Sequence, residues 1–195
     1  MTRSATIERA TSETSVTLSL DLDGDGSARV STGVPFFDHM LEAFGRHGLF
    51  ELDIVAEGDL AVDAHHTVED VGISLGAAFS EALGDKRGIR RFGSAVVPMD
   101  EAMVLCAVDI SGRGQLHYAV DVPIEVIGTF DTTLAKEFMI ALAANAGITV
   151  HVMAFAGENA HHIIEAAFKA LARALAEAVS LDPRVTGVPS TKGSL

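Results

Sequence analysis

The chain repeats itself, and the repeat constrains its fold more than any single motif does. Placing Glu13 on Glu101, a shift of 88 residues, also puts Val16, Asp21, Gly24 and Gly26 on Val104, Asp109, Gly112 and Gly114. A second block, shifted by 99, matches Asp38, Met40, Gly48 and Gly58 with Glu137, Met139, Gly147 and Gly157. A third, shifted by 96, lays Ala64–Asp70 (AHHTVED) on Ala160–Ala166 (AHHIIEA). Three blocks in one order, separated by small gaps, mark an internal duplication.

Each block predicts local structure. In the first, apolar and polar residues alternate up to a Gly-containing turn and resume after it, which predicts a β-hairpin. The second predicts a helix followed by an alternating strand, Phe50–Ala56 in one half and Thr149–Ala154 in the other. In the third, each His-His pair opens a long helix, ending near Gly84 and near Ser180. Each half therefore reads strand–strand–helix–strand–helix, with residues 1–92 as the first half and 93–195 as the second, joined near Gly93. Neither half carries enough apolar surface to stand alone, so the two pack as one compact unit. The predicted class is α+β: two similar halves, each a mixed β-sheet with two helices on one face.

Bulk properties narrow the partners. A formal charge of −13 argues against nucleic acid or a membrane surface, both of which need clustered cations, while leaving room for a local pocket that takes one small anion. With a single cysteine no intramolecular disulfide can form; Cys106 reads as a small apolar residue of a strand, Ala102–Ile110, in a reducing compartment. The first residues carry no apolar leader, and Lys169, Arg173 and Glu177 interrupt the Ala-rich run Ala166–Val179 as the solvated face of a helix. These features predict a cytoplasmic protein.

The two His-His-x-x-Glu elements carry the chemistry. On a helix His65 and Glu69 lie near one line, as do His161 and Glu165, while adjacent histidines diverge by about 100°. His65–His66 and His161–His162 are thus poorly placed to share one ion and well placed to reach two. A pair of such helices offers four imidazoles and two carboxylates, a mixed set that suits manganese, iron or zinc rather than calcium or magnesium. His39, beside Phe36 and Phe37, reads by itself as a packed core histidine, and His47 and His151 as structural, with a substrate-facing role open to His47. Asp21-x-Asp23-x-Asp25-Gly26 imitates the start of an EF-hand, but Thr32 stands where the loop needs a glutamate; it is a polar hairpin turn. Cations are scarce: Arg90 and Arg91 follow Gly88, Arg113 sits between two glycines, and Ser190-Thr191-Lys192-Gly193 could surround a phosphate. No nucleotide-binding glycine loop is present.

Phe36-Phe37-Asp38-His39-Met40-Leu41, His47-Gly48-Leu49-Phe50, Asp63–Asp70, Arg91-Phe92-Gly93, Pro98–Ala102, His161–Ala166 and Pro189–Gly193 resemble the imidazoleglycerol-phosphate dehydratase family, over nearly the whole chain from about Arg9 to Gly193. The resemblance implies two repeats of a ribosomal-S5-domain-2-like unit, and trimers assembled into a homo-oligomeric shell of 24 subunits with active sites between subunits. It implies two Mn2+ ions per site, on His39, His65, His66, Glu69, His161, His162 and Glu165. The eighth ligand position, a histidine in well-known members, is Glu137 here. It assigns the phosphate of the substrate to Arg91, Arg113, Ser190 and Lys192, with Lys169 as a further contact, and puts Glu13, His47 and Asp100 near the substrate. Ala43 stands where members often carry Gln.

The implied reaction is dehydration of D-erythro-imidazole glycerol phosphate to imidazole acetol phosphate in histidine biosynthesis, by a hydro-lyase that holds the substrate ring as an imidazolate between the two manganese ions. Glu13, Glu69 or Glu165 would move the protons. A two-metal phosphoesterase and a non-catalytic metal-binding shell protein are the competing readings; duplication and spacing by themselves say only dinuclear metalloprotein.

Overall fold

The computed structural model describes residues 3–195. In the first half β1 (Ser4–Ala10), β2 (Thr14–Asp21), β3 (Ala28–Ser31) and β4 (Glu51–Gly58) form a sheet in the order β1-β2-β4-β3, packed against α1 (Pro35–Gly48) and α2 (His65–Leu83). In the second half β5 (Phe92–Met99), β6 (Ala102–Asp109), β7 (Gln115–Ala119) and β10 (Thr149–Ala156) take the order β5-β6-β10-β7, against α3 (Leu134–Ala146) and α4 (Ala160–Val179). A short ribbon, β8 (Val126–Ile127) and β9 (Phe130–Asp131), precedes α3. Matched element for element, the two sheet orders are the same, so the duplication is one of structure. The class is α+β with mixed sheets, since β3 and β7 run parallel to β4 and β10 while the other pairs are antiparallel.

Two local readings need correction. Three strands of the main sheet, not two, precede the first helix of each half: β1 and β5 each hairpin onto the next strand, through the turns that carry Glu13 and Glu101. Conversely β2 and β3 are not a hairpin, because β4 lies between them. The Asp/Gly segment after β2 is a crossover that runs over the start of β4. A Cβ on Gly24 would sit 2.4 Å from the Glu51 nitrogen, and Leu52 N–H bonds the Ser27 carbonyl at 3.0 Å. Alternation and a glycine turn are local signals, and they cannot report a strand that inserts later in the chain.

Pro35 opens α1, and Leu49 closes it in the left-handed conformation. Asn159 caps α4, its Oδ1 accepting the N–H groups of His161 and His162 at 2.9 and 3.4 Å, while Asp63 Oδ1 accepts the His65 N–H at 2.8 Å. Both His-His pairs are therefore fixed at helix starts. The four helices lie between the two sheets, α1 on α4 and α2 on α3. α2 and α3 touch backbone to backbone: a Cβ on Gly72 or Gly76 would meet the carbonyl of Phe138 or Leu142 at 2.8 or 2.7 Å. One continuous core joins the halves. Phe36 and Phe37 of α1 pack on Phe130, Phe37 meets Phe138 of α3, and Phe138 stacks on Phe168 of α4.

Cys106 is buried in β6, as its apolar surroundings predict, and burial pushes its thiol up to about 12. The outer faces of the two sheets differ. On the first they are largely polar, with Thr6, Glu8, Ser15, Thr17 and Glu51 exposed; on the second Phe92, Val96, Met103 and Met153 are exposed.

Candidate metal centre and anion site

The bend after Thr32 aims α1 so that Phe36 and Phe37 enter the core while His39, one turn on, stays about half exposed. The core reading of His39 is thus wrong: the phenylalanines fill the interior, and the histidine points outward at α4. There His39 Nε2 lies 3.4 Å and His161 Nε2 3.0 Å from the same oxygen of Glu165, Oε2. Ligand atoms of these three residues all lie within 4.8 Å of one another, the one such group of three among the described residues. Glu165 is 6% exposed, and its other oxygen takes the Lys169 ammonium at 2.6 Å. Burial would raise this carboxyl, but the Lys169 ion pair and the His161 bond outweigh it and hold it below the ordinary carboxylate range. Two imidazoles and a carboxylate bring their ligand atoms together, a set that could hold a divalent ion.

The second histidine of each pair has its own carboxylate. His162 Nδ1 lies 2.7 Å from Glu101 Oε2, with Asp100 at 3.6 Å from Nε2; His66 Nδ1 lies 3.0 Å from Asp59, with Glu13 at 3.9 Å. Bonding to Glu101 raises the His162 pKa, and bonding to Asp59 raises that of His66. The Asn159 N–H, followed by His162, pulls Glu101 down to about 2. A carboxylate on Nδ1 fixes the ring and leaves Nε2 as the outward donor. Sequence reading missed Asp59 and Glu101 in this role. A signal for Glu101 existed: it is the repeat mate of Glu13.

His65 lines a 430 Å³ cleft between the start of α2 and the β9–α3 segment, with Asp63, Asp131 and Thr133. Glu69 is exposed on α2, and Glu137 is half-buried in a separate hollow beside Tyr118 and Lys136. His65, Glu69 and Glu137 do not close into a group within the chain as His39, His161 and Glu165 do.

The predicted phosphate residues gather elsewhere. Arg91, at φ +74°, donates to Asp109 at 2.7 and 3.2 Å and to the Pro189 carbonyl at 2.9 Å, and lies over the Phe92 ring. The tail runs on from there: Ser190 Oγ accepts the Lys192 N–H at 3.2 Å, and the terminal Leu195 comes against Gly112, next to Arg113. Arg91, Arg113, Ser190 and Lys192 thus share the strip crossed by the tail, and Asp109 is the orienting residue that sequence reading missed. Lys169 stays with Glu165, and His47 is an exposed neighbour at the end of α1. Partial burial and the Lys169 and Arg173 charges lower the His47 pKa, so its ring is neutral near pH 7.

The model of the family described as imidazoleglycerol-phosphate dehydratase matches residues 32–175. The chain belongs to the imidazoleglycerol-phosphate dehydratase family. It is 56% identical over 195 residues to the dehydratase of Moorella thermoacetica and 60% identical over 198 to that of Acidiphilium cryptum, with 100% of each chain covered in both cases. Crystal structures of the Staphylococcus aureus and Pyrococcus furiosus dehydratases superpose with TM-scores of 0.83 and 0.84 at 38% and 39% identity, covering 92% and 97% of this chain and 99% and 100% of those. Neither the phosphoesterase nor the non-catalytic shell reading finds support among these dehydratases.

Proposed function

We infer that the chain dehydrates D-erythro-imidazole glycerol phosphate to imidazole acetol phosphate in histidine biosynthesis, as a hydro-lyase. The observation that carries this reading is the His39–His161–Glu165 group, built by helices from both halves, in a chain that matches named dehydratases along its whole length. The donor set fits Mn2+, and by the family resemblance His65, His66, Glu69, Glu137 and His162 would complete the ligands of two such ions. When bound, the metal supplies positive charge that acidifies and orients the imidazole ring of the substrate.

The chain's own groups do the rest. A carboxylate, Glu13, Glu69, Glu165 or Asp100, removes the proton from the second carbon of the side chain, and the hydroxyl on the carbon attached to the ring departs as water. Returning a proton to carbon converts the resulting enol to the ketone. Arg91, Arg113, Ser190 and Lys192 bind the phosphate and fix the reacting carbon without touching the bonds that break, with Lys169 and neutral His47 as further contacts.

Dimensions support a homo-oligomer. His161 starts α4, while Arg91 bonds the Ala178 carbonyl near its end, about 25 Å away along the helix. A small substrate cannot span that gap, so metal and phosphate residues that act together come from different copies. The exposed apolar residues on the second sheet give copies a surface to bury. Shells of 24 built from trimers, in the cytoplasm, agree with this. The two halves, 1–92 and 93–195, act as one unit because each supplies ligands to the same group.

Protein stripped of metal is expected to be inactive and to recover with Mn2+, giving a ketone whose phosphate ester is intact. Release of inorganic phosphate instead would overturn the reading.

A further inference from the structure

The turns bearing Glu13 and Glu101 are repeat mates, yet they are built differently. In the second half Glu101 spends its side chain on structure, accepting the N–H groups of Glu158 and Asn159 at 3.2 and 2.9 Å and holding His162. Around it the core is apolar: Val97, Ala102 and Ala166. In the first half Asp59 holds the histidine, and among the described residues the Glu13 carboxylate has no hydrogen-bond partner. The residues matching Val97, Ala102 and Ala166 are Arg9, Thr14 and Asp70. Asp70, only 7% exposed, pairs through Oδ1 with Arg9 at 2.9–3.0 Å, and accepts the Thr14 hydroxyl through Oδ2. Thr11 completes the frame: its Oγ1 accepts the N–H groups of Glu13 and Thr14 at 3.1 and 3.0 Å. The Glu13 carbonyl in turn takes the Asp59 N–H at 3.1 Å.

Burying a carboxylate costs more than the alanine that serves the same place in the other half, and a charge pair seldom recovers that cost as stability. We propose that the Asp70–Arg9–Thr14 network is a positioning device: it fixes the turn that presents the unbonded Glu13 carboxylate beside His66, the task its repeat mate Glu101 has given up. Asp70 is then a positioning residue that acts through Glu13 and the Asp59–His66 pair, and the polar network is dispensable for folding. The inference rests on the reading of Glu13 as a proton-transfer group.

The test gives the first half the second half's residues, in R9V/T14A/D70A, beside D70N and E13Q, all as manganese-loaded enzyme. The triple variant should fold, keep its metal and keep KM within about threefold, while kcat falls about 10- to 100-fold, as expected of a displaced reacting group. The pH profile of kcat should lose or shift its acidic limb, which a loss of packing would not do. D70N should show the same split, and it decides the matter if the triple variant does not fold. Unchanged kcat and pH profile in both, with E13Q inactive, would overturn the positioning role and leave Glu13 standing. Unfolding or metal loss in D70N would make the network structural and overturn it too. Near-normal activity in E13Q would remove Glu13, and the proposal with it.

Discussion

His162 and Glu101 illustrate how one residue sets another's chemistry. With Nδ1 bonded to a carboxylate, the ring presents Nε2 outward, and a metal bound there is strengthened by the basicity the partner confers. E101Q should therefore weaken metal binding about 10- to 100-fold, read by titration at pH 8, with circular dichroism unchanged. The same contact sets a pH window. Metal needs the neutral imidazole, and the His66 and His162 pKa values both lie above the ordinary 6.5, so protons displace metal as pH falls through a value above 6.5. The effect on the metal-free fold has the opposite sign: stability from these pairs is present below 6.5 and lost as pH rises through the folded pKa. Metal affinity measured between pH 5.5 and 8.5 should show that midpoint, shifted downward in E101Q; a midpoint at or below 6.5 in the unaltered protein would contradict it.

At the scale of elements, the candidate site depends on helices brought close together. α1 and α4 bring His39 to Glu165, and α2 and α3 approach so closely that glycine is required at their contact. G76A puts a methyl group 2.7 Å from the Leu142 carbonyl and should cost about 1–3 kcal/mol, a Tm lower by several degrees, as overpacking does. Equal melting temperatures would mean that α2 and α3 can separate at no cost. The crossover after β2 belongs to this scale too. It parts β2 from β3, lets β4 enter the middle of the sheet, and leaves the Glu13 turn at the opposite end of β2.

For the molecule as a whole, the separation of the proposed metal and phosphate residues makes a sharp prediction. E165Q loses the metal end and R91A the anion end, and each by itself should be nearly inactive. If sites form between copies, dissociating and reassembling a mixture of the two should restore up to about a quarter of normal activity, since some sites then combine two intact contributions. No recovery in a mixed assembly of confirmed composition would count against shared sites.

Much of this was legible in the chain. The duplication, the helix starts at His65 and Ala160, and the pairing of His161 with Glu165 at a spacing of four follow from periodicity and repeat, because helix geometry is local. The family was legible too, since its motifs are contiguous. What periodicity could not supply is contact between distant segments. That β4 divides β2 from β3, that His39 faces α4 instead of the core beside its phenylalanines, that Asp59 and Glu101 hold the second histidines, and that Arg91 lies a helix length from the metal group were decided by tertiary packing. Local sequence sets which face of an element is apolar; only the competition among all such faces for one interior decides which polar groups end up as neighbours.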